Sequence, residues 1–259
     1  MPGAVLHRVV LLLLIVLSPA QAFAAAPVAR PTLVLAFSPL PPWRVIDAHG
    51  QPSGPYLDIV RRLAQHAGMN LVVHTCPLLR CLDMLQHGDA DVGIGVAPGP
   101  DRSAIVDFVV PPFAEGSTVC FYRRRGDTRA RVAQYGDLRG LRIGVTDGAH
   151  YFPRFDQDAR LIKDSAPDKI SNLRKLLARR VDVATMVCGE ASLLLSRHEF
   201  SGQLELAGPP VKTGPRYVVL AWHSPQYEKK DRLQRALRQM IASGEIRRLL
   251  APVEQNTQR

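Results

Sequence analysis

The feature that most constrains the fold is a helix–turn–strand segment that occurs twice. Residues 82–96 (LDMLQHGDADVGIGV) align with residues 173–187 (LRKLLARRVDVATMV), and two leucines, an aspartate and two valines recur at a constant offset of 91 residues. In each copy the leucines follow helical spacing, and the valine-containing run after the aspartate is typical of a buried parallel strand. A unit that occurs once in each half of a chain predicts two similar α/β lobes. A chance match between common residues is the alternative.

The segments before the first repeated strand alternate between predicted strands and helices. Apolar patterns predict strands at 32–37 and 70–74, and helices at 57–67 and around Leu82. This βαβαβ order is typical of a doubly wound parallel sheet.

The chain is expected to pass twice between the two lobes. Strands near 119–123 and 218–222 would form the hinge, and an amphipathic helix at 230–250 would close the first lobe. We therefore expect an α/β chain of two lobes, each a mainly parallel sheet flanked by helices, joined by a two-strand hinge.

The first 24 residues have the pattern of a secretory signal peptide. His7 and Arg8 precede an apolar run at 9–17, and Ala22-Phe23-Ala24 is the best cleavage signal. This run is too short to span a bilayer, and no later stretch is long enough. The sequence therefore predicts a soluble periplasmic chain that starts near residue 25.

Four cysteines remain in that mature chain, an even number for an oxidising compartment. Cys76 and Cys81 (CPLLRC) are close enough in sequence for a local disulfide. A zinc site is the alternative, but only His74 stands near the pair as a further ligand. Cys120 and Cys188 either pair with each other or remain buried thiols, and the sequence leaves both open.

The net charge of +10 is spread along the chain. No aromatic residues are interleaved with the local arginine run at 123–125, and an exported chain meets no nucleic acid. We interpret the charge as a source of solubility and of a mild attraction for anions. It indicates no nucleic-acid partner.

The loop after the first repeated strand contains the strongest candidate for ligand binding. A loop at the carboxyl end of a parallel strand is where open α/β sheets bind ligands. Ala97, Pro98 and Gly99 add little side-chain bulk there, and Arg102 follows them. We expect Arg102 to face a cleft and pair with an anion; a solvated surface arginine is the alternative.

Short motifs spread over nearly the whole mature chain resemble those of the bacterial extracellular solute-binding proteins of family 3. That family comprises the polar-amino-acid receptors of ABC importers, which have the type II periplasmic binding fold. Each motif is weak alone, and their order and spacing carry the resemblance. In this sequence they are Pro42-Trp43, Gly54–Asp58 (GPYLD), Gly88–Asp91 (GDAD), Asp101-Arg102 with Val106-Asp107-Phe108, and Asp137–Val145 (DLRGLRIGV).

The resemblance implies a ligand site, half of it on the first lobe. Arg102 matches the arginine that holds a ligand carboxylate, and such a bidentate pair is strong and directional when water is excluded. Trp43 lies near the wall aromatic of the family. Gly95 and Ala97 belong to the segment that offers backbone groups to the ligand. Ala97 and Gly99 replace the hydroxyl residues usual before the arginine.

The second lobe is implied to contribute the other half of the site. The loop Asp147-Gly148-Ala149-His150 replaces the family's small-Gly-Thr-Thr loop and makes His150 a candidate ligand contact. The acidic residue for a ligand ammonium should fall near Val187, where there is none. Glu190 is the substitute candidate, and an exposed carboxylate at a helix start is the alternative.

The expected division is a signal peptide at 1–24, lobe 1 at 25–120, lobe 2 at 121–218, and a return to lobe 1 at 219–259. The expected function is capture of a small carboxylate-bearing, amino-acid-like solute, anionic or zwitterionic, for the membrane permease of an ABC importer. We expect a monomer without catalytic activity, cofactor or metal.

Two alternatives remain at this point. The first is an accessory or sensory binding module, for example one associated with a quinoprotein dehydrogenase. The second is a dehydratase-like enzyme on the same fold, for which Glu190 and His150 would be the only acid–base groups in the cleft.

Overall fold

Two large β-sheets divide the molecule into two lobes with a cleft between them, and β-strands at 45–46 and 52–53 form a small third sheet. The computed structural model describes residues 29–257, and the predicted signal peptide at 1–24 lies outside the described residues. Both sheets are flanked by helices, so the two-lobed α/β architecture predicted from the sequence is confirmed. Within the described range, no helix is both long and apolar enough to cross a membrane.

Helices and strands are interspersed along the described part of the chain. In chain order the strands are β1 (Thr32–Phe37), β2 (Val45–Ile46), β3 (Pro52–Ser53), β4 (Asn70–Thr75), β5 (Val92–Val96), β6 (Val106–Ala114), β7 (Thr118–Arg124), β8 (Arg142–Thr146), β9 (Ile162–Ala166), β10 (Val183–Val187), β11 (Leu204–Leu206), β12 (Val211–Lys212) and β13 (Arg216–Ala221). The helices are α1 (Pro55–His66), α2 (Leu78–His87), α3 (Pro100–Ile105), α4 (Pro153–Asp156), α5 (Lys169–Leu177), α6 (Cys188–Leu195), α7 (Lys230–Ala242) and α8 (Glu245–Thr257).

The sheet of lobe 1 has the strand order β4-β1-β5-β13-β6. β1 pairs in parallel with β4 and β5, whereas β13 returns from lobe 2 and pairs antiparallel between β5 and β6. Helices α1, α7 and α8 bury their apolar sides on one face, with Leu57, Leu237 and Leu250 in the core. Helix α2 packs Leu85 on the other face. Removal of these apolar stripes from water holds the helices on the sheet.

The sheet of lobe 2 has the strand order β11-β7-β10-β8-β9, and β12 also pairs with β7. β8 pairs in parallel with β9 and β10, whereas β7 is antiparallel to β10, β11 and β12. Phe121 and Phe155 anchor the core on one face, and Leu173 and Leu176 of α5 anchor the core on the other. Lobe 2 is therefore a second α/β layer structure with its own core.

The sequence repeat forms the same structural unit in both lobes. In lobe 1 the backbone N–H of Asp91 donates to the Val34 carbonyl at 2.8 Å, and the Asp91 carboxylate accepts from the Val34 N–H at 2.7 Å. In lobe 2 Asp182 makes the same pair of bonds with Arg142, at 2.8 and 2.7 Å. Each aspartate thus ties the start of its strand to the neighbouring parallel strand.

The chain crosses between the sheets at residues 115–117 and 213–215. The two crossings are hydrogen-bonded: the Thr213 N–H donates to the Ser117 carbonyl, and the Ser117 N–H donates to Thr213 Oγ1, both at 2.9 Å. Gly116 has φ +111°, and a Cβ there would lie 2.2 Å from the Gly214 carbonyl oxygen. Only glycine suits so close a passage of two backbones.

These crossings lie a few residues before the positions predicted for the hinge. The predicted hinge strands at 119–123 and 218–222, and the predicted lobe boundaries at 120/121 and 218/219, fall inside β7 and β13. β7 belongs wholly to the second sheet and β13 to the first. The apolar runs in the sequence indicate extended chain, but only the strand pairing shows to which sheet each strand belongs. Which residues move as lobe 1 and which as lobe 2 stays a prediction.

Candidate functional site

A cavity of about 730 Å³ lies between the two lobes. Ser38, Thr75 and Ala97 line it at the carboxyl ends of β1, β4 and β5, and Thr146 and Val187 line it at the ends of β8 and β10. Open α/β sheets bind their ligands at this edge, and the volume is in the range of small-molecule sites. The cavity is therefore the candidate functional site.

All six residues predicted to contact a ligand line this one cavity. They are Trp43, Gly95, Ala97 and Arg102 from lobe 1, and His150 and Glu190 from lobe 2. The structure therefore brings together side chains that are up to 147 positions apart, between Trp43 and Glu190. Their contact with a solute stays a prediction.

Arg102 spans the cleft. It lies in helix α3 and not in the loop predicted from the sequence. Pro100 begins this helix, and proline is favoured at a first helical position because the N–H that it lacks would have no partner within the helix there. Arg102 is only 8% exposed: Nη1 donates to Asp101 Oδ2 at 2.9 Å, and Nη2 donates to the backbone carbonyl of Gly148 in lobe 2. Burial lowers the pKa of Arg102, against the opposing effect of Asp101 and Asp156. The alternative of a solvated surface arginine is wrong.

His150 forms a second contact across the cleft. Its Nε2 lies 2.9 Å from Asp101 Oδ2 of lobe 1, and its Nδ1 lies 3.6 Å from Asp156 Oδ2 of lobe 2. The Asp156 and Asp101 carboxylates raise the pKa of His150, although its partial burial opposes them. We call Asp101, Arg102, Gly148 and His150 together the cross-cleft contact.

Glu190 is buried in the first turn of α6, so the alternative of an exposed carboxylate is wrong. Its side chain is 1% exposed, and Oε1 lies 3.0 Å from Lys169 Nζ. Oε2 is buried without a hydrogen-bond partner among the described residues. Burial raises the pKa of Glu190, while Lys169 lowers it. One oxygen of this carboxylate is thus left to accept a bond at the cavity.

A disulfide positions the helix that carries Glu190. Cys188 begins α6 and is bonded to Cys120 of β7, with an S–S distance of 2.05 Å. Cys76 and Cys81 form the other disulfide, with an S–S distance of 1.99 Å, at the lobe 1 end of the cavity. This bond leaves neither of these thiols for the zinc alternative. Within residues 29–257, no three His, Cys, Asp or Glu side chains are grouped to hold a metal ion.

Tyr56 and Gly95 together form the floor of the cavity in lobe 1. Gly95 has φ +80°, and a Cβ there would lie 2.6 Å from Cε2 of Tyr56. Gly95 is therefore required for the approach of the aromatic ring as well as for its backbone conformation. Tyr56 packs edge-on against Phe113 at a centroid distance of 5.0 Å and tilts toward Trp43 at 6.4 Å. Burial raises the pKa of Tyr56 to about 12, so the phenol stays neutral at physiological pH.

Two arginines of the cavity were missed by the sequence analysis. Arg44 follows the predicted wall residue Trp43, and its Nη1 donates to the Ile94 carbonyl at 2.9 Å. Arg216 opens β13 beside the chain crossing and is 8% exposed. The signal available for Arg44 was its position next to the predicted wall aromatic. The signal available for Arg216 was its position at the start of a predicted apolar strand. Neither signal shows that the two side chains reach the same cavity.

The family follows from a comparison with protein-family models. The model of the bacterial extracellular solute-binding proteins, family 3, matches residues 33–252. The chain belongs to this family. The predicted family is therefore confirmed, and a solute-binding role follows from it at the level of the family. A search of curated protein sequences finds no match.

Solved structures similar to this family 3 protein share its fold at low sequence identity. A histidine kinase sensor domain with similarity to periplasmic binding proteins is 19% identical, with a TM-score of 0.73 over 86% of this chain and 96% of that chain. An ancestral arginine-binding protein is 21% identical, with a TM-score of 0.70 over 86% and 98%. An arginine-specific periplasmic binding protein of Salmonella typhimurium is 18% identical, with a TM-score of 0.68 over 86% and 99%. The type II periplasmic binding fold is thus confirmed for this family 3 protein.

Proposed function

We propose that this chain captures a small anionic solute between its lobes and delivers it to the membrane permease of an ABC importer. The observation that carries the proposal is the excess of cationic side chains on the cavity wall. Four cationic residues, Arg44, Arg102, Arg216 and Lys169, line it with two acidic ones, Asp168 and Glu190. Both acidic groups already have protein partners, since Lys169 pairs with Glu190 and Ser171 donates to Asp168.

Closure of the two lobes would supply the affinity. Guanidinium groups bind carboxylates strongly when water is excluded, and an inter-lobe cavity excludes water as it closes. The cross-cleft contact supports this reading because it already joins α3 of lobe 1 to the loop after β8 of lobe 2. A solute shifts the population toward closure only by its higher affinity for the closed form.

The proposal is tested by thermal shift and calorimetry with three groups of compounds: zwitterionic amino acids, anionic carboxylates and cationic polyamines. We expect the carboxylates to raise Tm and the polyamines to leave it unchanged, because the cavity is cationic. A rise in Tm with polyamines alone would contradict the proposal.

A sensory module is the second candidate, favoured by the likeness to a histidine kinase sensor domain. Uptake of a labelled solute by cells with and without the gene separates the two roles. An importer component predicts loss of uptake on deletion, restored by the wild-type gene. Unchanged uptake, with the protein co-purifying with a membrane kinase or a dehydrogenase, would favour the sensory or accessory role.

Catalysis forms no part of the proposal. Glu190 and His150, the acid–base candidates of the dehydratase-like alternative, are both paired with protein groups, which suits a role in binding and closure. We expect mass spectrometry of a bound carboxylate to recover it unchanged after incubation with the protein. A product that accumulates with time would contradict this expectation.

A further inference from the structure

Two arginines of lobe 1 face the cavity without an acidic partner. Arg44 donates to the Ile94 carbonyl through Nη1, while its Nε is buried with no hydrogen-bond partner. Arg216 is 8% exposed, and its guanidinium makes no hydrogen bond or ion pair with any of the described residues. Burial lowers the pKa of Arg44 to about 10, so this side chain remains charged at neutral pH.

The other cations of the cavity are compensated by protein carboxylates. Arg102 pairs with Asp101 at 2.9 Å, and Lys169 pairs with Glu190 at 3.0 Å. Glu190 and Asp156 act on the two lobe 1 arginines only beyond ion-pair distance. The uncompensated positive charge of the site is therefore concentrated at Arg44 and Arg216.

Such a pair is unfavourable unless something else supplies negative charge. A buried charge without a partner is costly, and two like charges add their repulsion; Arg216 is close enough to lower the pKa of Arg44 further, after the larger effect of burial. The neutral phenol of Tyr56 acts on both arginines but has no charge to offset theirs. An anionic group of the solute would neutralise them directly.

We infer that Arg44 and Arg216 form a second anion subsite, distinct from Arg102, and that the solute of this cavity is a small dicarboxylate. The inference rests on the proposed function and narrows its solute class. A zwitterionic amino acid would leave the second subsite unneutralised, and its ammonium would find only Oε2 of Glu190, because Oε1 is paired with Lys169. The cavity wall also has apolar side chains, among them Leu40, Ile46 and Leu194, which suit a short carbon chain between two carboxylates.

The test compares ligands that differ by one carboxylate. Calorimetry would measure Kd for succinate and glutarate, and for butyrate and valerate as their monocarboxylate counterparts. In the wild-type protein we expect the dicarboxylates to bind at least about 30-fold more tightly, because a desolvated charge pair is gained. In Arg44→Gln and Arg216→Gln this preference should fall to a few-fold, and Arg216→Lys should keep part of it.

Controls separate this inference from the proposed function. Arg235→Gln removes an exposed positive charge from α7 and should keep the full dicarboxylate preference. If Arg216→Gln does not fold, Arg44→Gln and Arg216→Lys carry the test. Equal affinity for mono- and dicarboxylates overturns the second subsite but leaves the proposed function standing. Tighter binding of zwitterionic amino acids than of any anion overturns the second subsite and also the anionic solute of the proposed function. Tighter binding of inorganic phosphate than of either dicarboxylate overturns the dicarboxylate class. If no anion binds, the proposed function itself is wrong.

Discussion

The repeated aspartates show how one side chain can perform the same structural task in two lobes. Asp91 and Asp182 each bind both the N–H and the carbonyl of one residue on the adjacent parallel strand. Asp91 is buried and also accepts from Ser224 Oγ at 2.6 Å, whereas Asp182 is partly exposed. The short motif that resembles a family turn thus has a structural explanation that involves no ligand.

This difference predicts unequal losses of stability. Asp91→Ala leaves the Val34 N–H and the Ser224 hydroxyl without their acceptor, and should lower the free energy of unfolding by about 2–4 kcal/mol. Asp182→Ala frees one N–H at a partly wet site and should cost about 1 kcal/mol. Urea unfolding of the two variants checks the order. A loss at Asp182 as large as that at Asp91 would show that burial does not decide the cost.

The elements next to the cavity depend on two disulfides that close loops of very different length. Cys76 and Cys81 are 5 residues apart, whereas Cys120 and Cys188 are 68 apart. A cross-link removes more freedom from the unfolded chain when the loop it closes is longer. The bond between β7 and α6 should therefore contribute more to stability, and it also fixes the helix that carries Glu190.

Replacing each cysteine pair by alanine tests this expectation. Removal of the long-range pair should lower the free energy of unfolding by about 4 kcal/mol, against about 2 kcal/mol for the short one. Urea unfolding of the two double variants measures both losses. Losses of similar size would show that the length of the closed loop does not decide how much each disulfide stabilises the protein.

The local elements were predictable from the sequence, whereas their partners were not. Periodicity predicted α1, α2 and the parallel strands of lobe 1 because apolar spacing is a local property. The pairing of Cys120 with Cys188 depends on the register of β7 on β10, in which Cys120 lies opposite Met186. The hinge, the burial of Glu190 and the cavity positions of Arg44 and Arg216 depend in the same way on contacts between distant segments.

We expect closure of the whole molecule to be linked to proton binding through the cross-cleft contact. His150 has a raised pKa, so its stabilising contribution is complete below its ordinary value of 6.5 and is lost as pH rises through the raised pKa. Asp101 has a lowered pKa because His150 and Arg102 outweigh the effect of its burial. Its contribution is complete above 3.8 and is lost as pH falls through the lowered value. The ion pair between the lobes is therefore strongest in mildly acidic solution.

Small-angle scattering of the ligand-free protein checks this linkage. The radius of gyration should increase between about pH 5.5 and about pH 8.5, as His150 loses its proton and the contact weakens. His150→Gln should be more open at the lower pH and should lose most of this dependence. His198→Gln, at an exposed position in lobe 2, should behave as the wild type does. An unchanged profile in His150→Gln would assign the opening to other groups.

The position of β13 between β5 and β6 in the first sheet has a consequence for how the nascent chain folds. β5 and β6 belong to the same sheet but are joined through β13, which is synthesised about a hundred residues later. Until then β5 has an unpaired edge, and an unpaired edge invites pairing with other chains. Lobe 2 is one continuous stretch of sequence and can complete its sheet first. Lobe 1 is thus synthesised first but completed last. Its strand β13 is synthesised only after lobe 2 has had time to form its sheet.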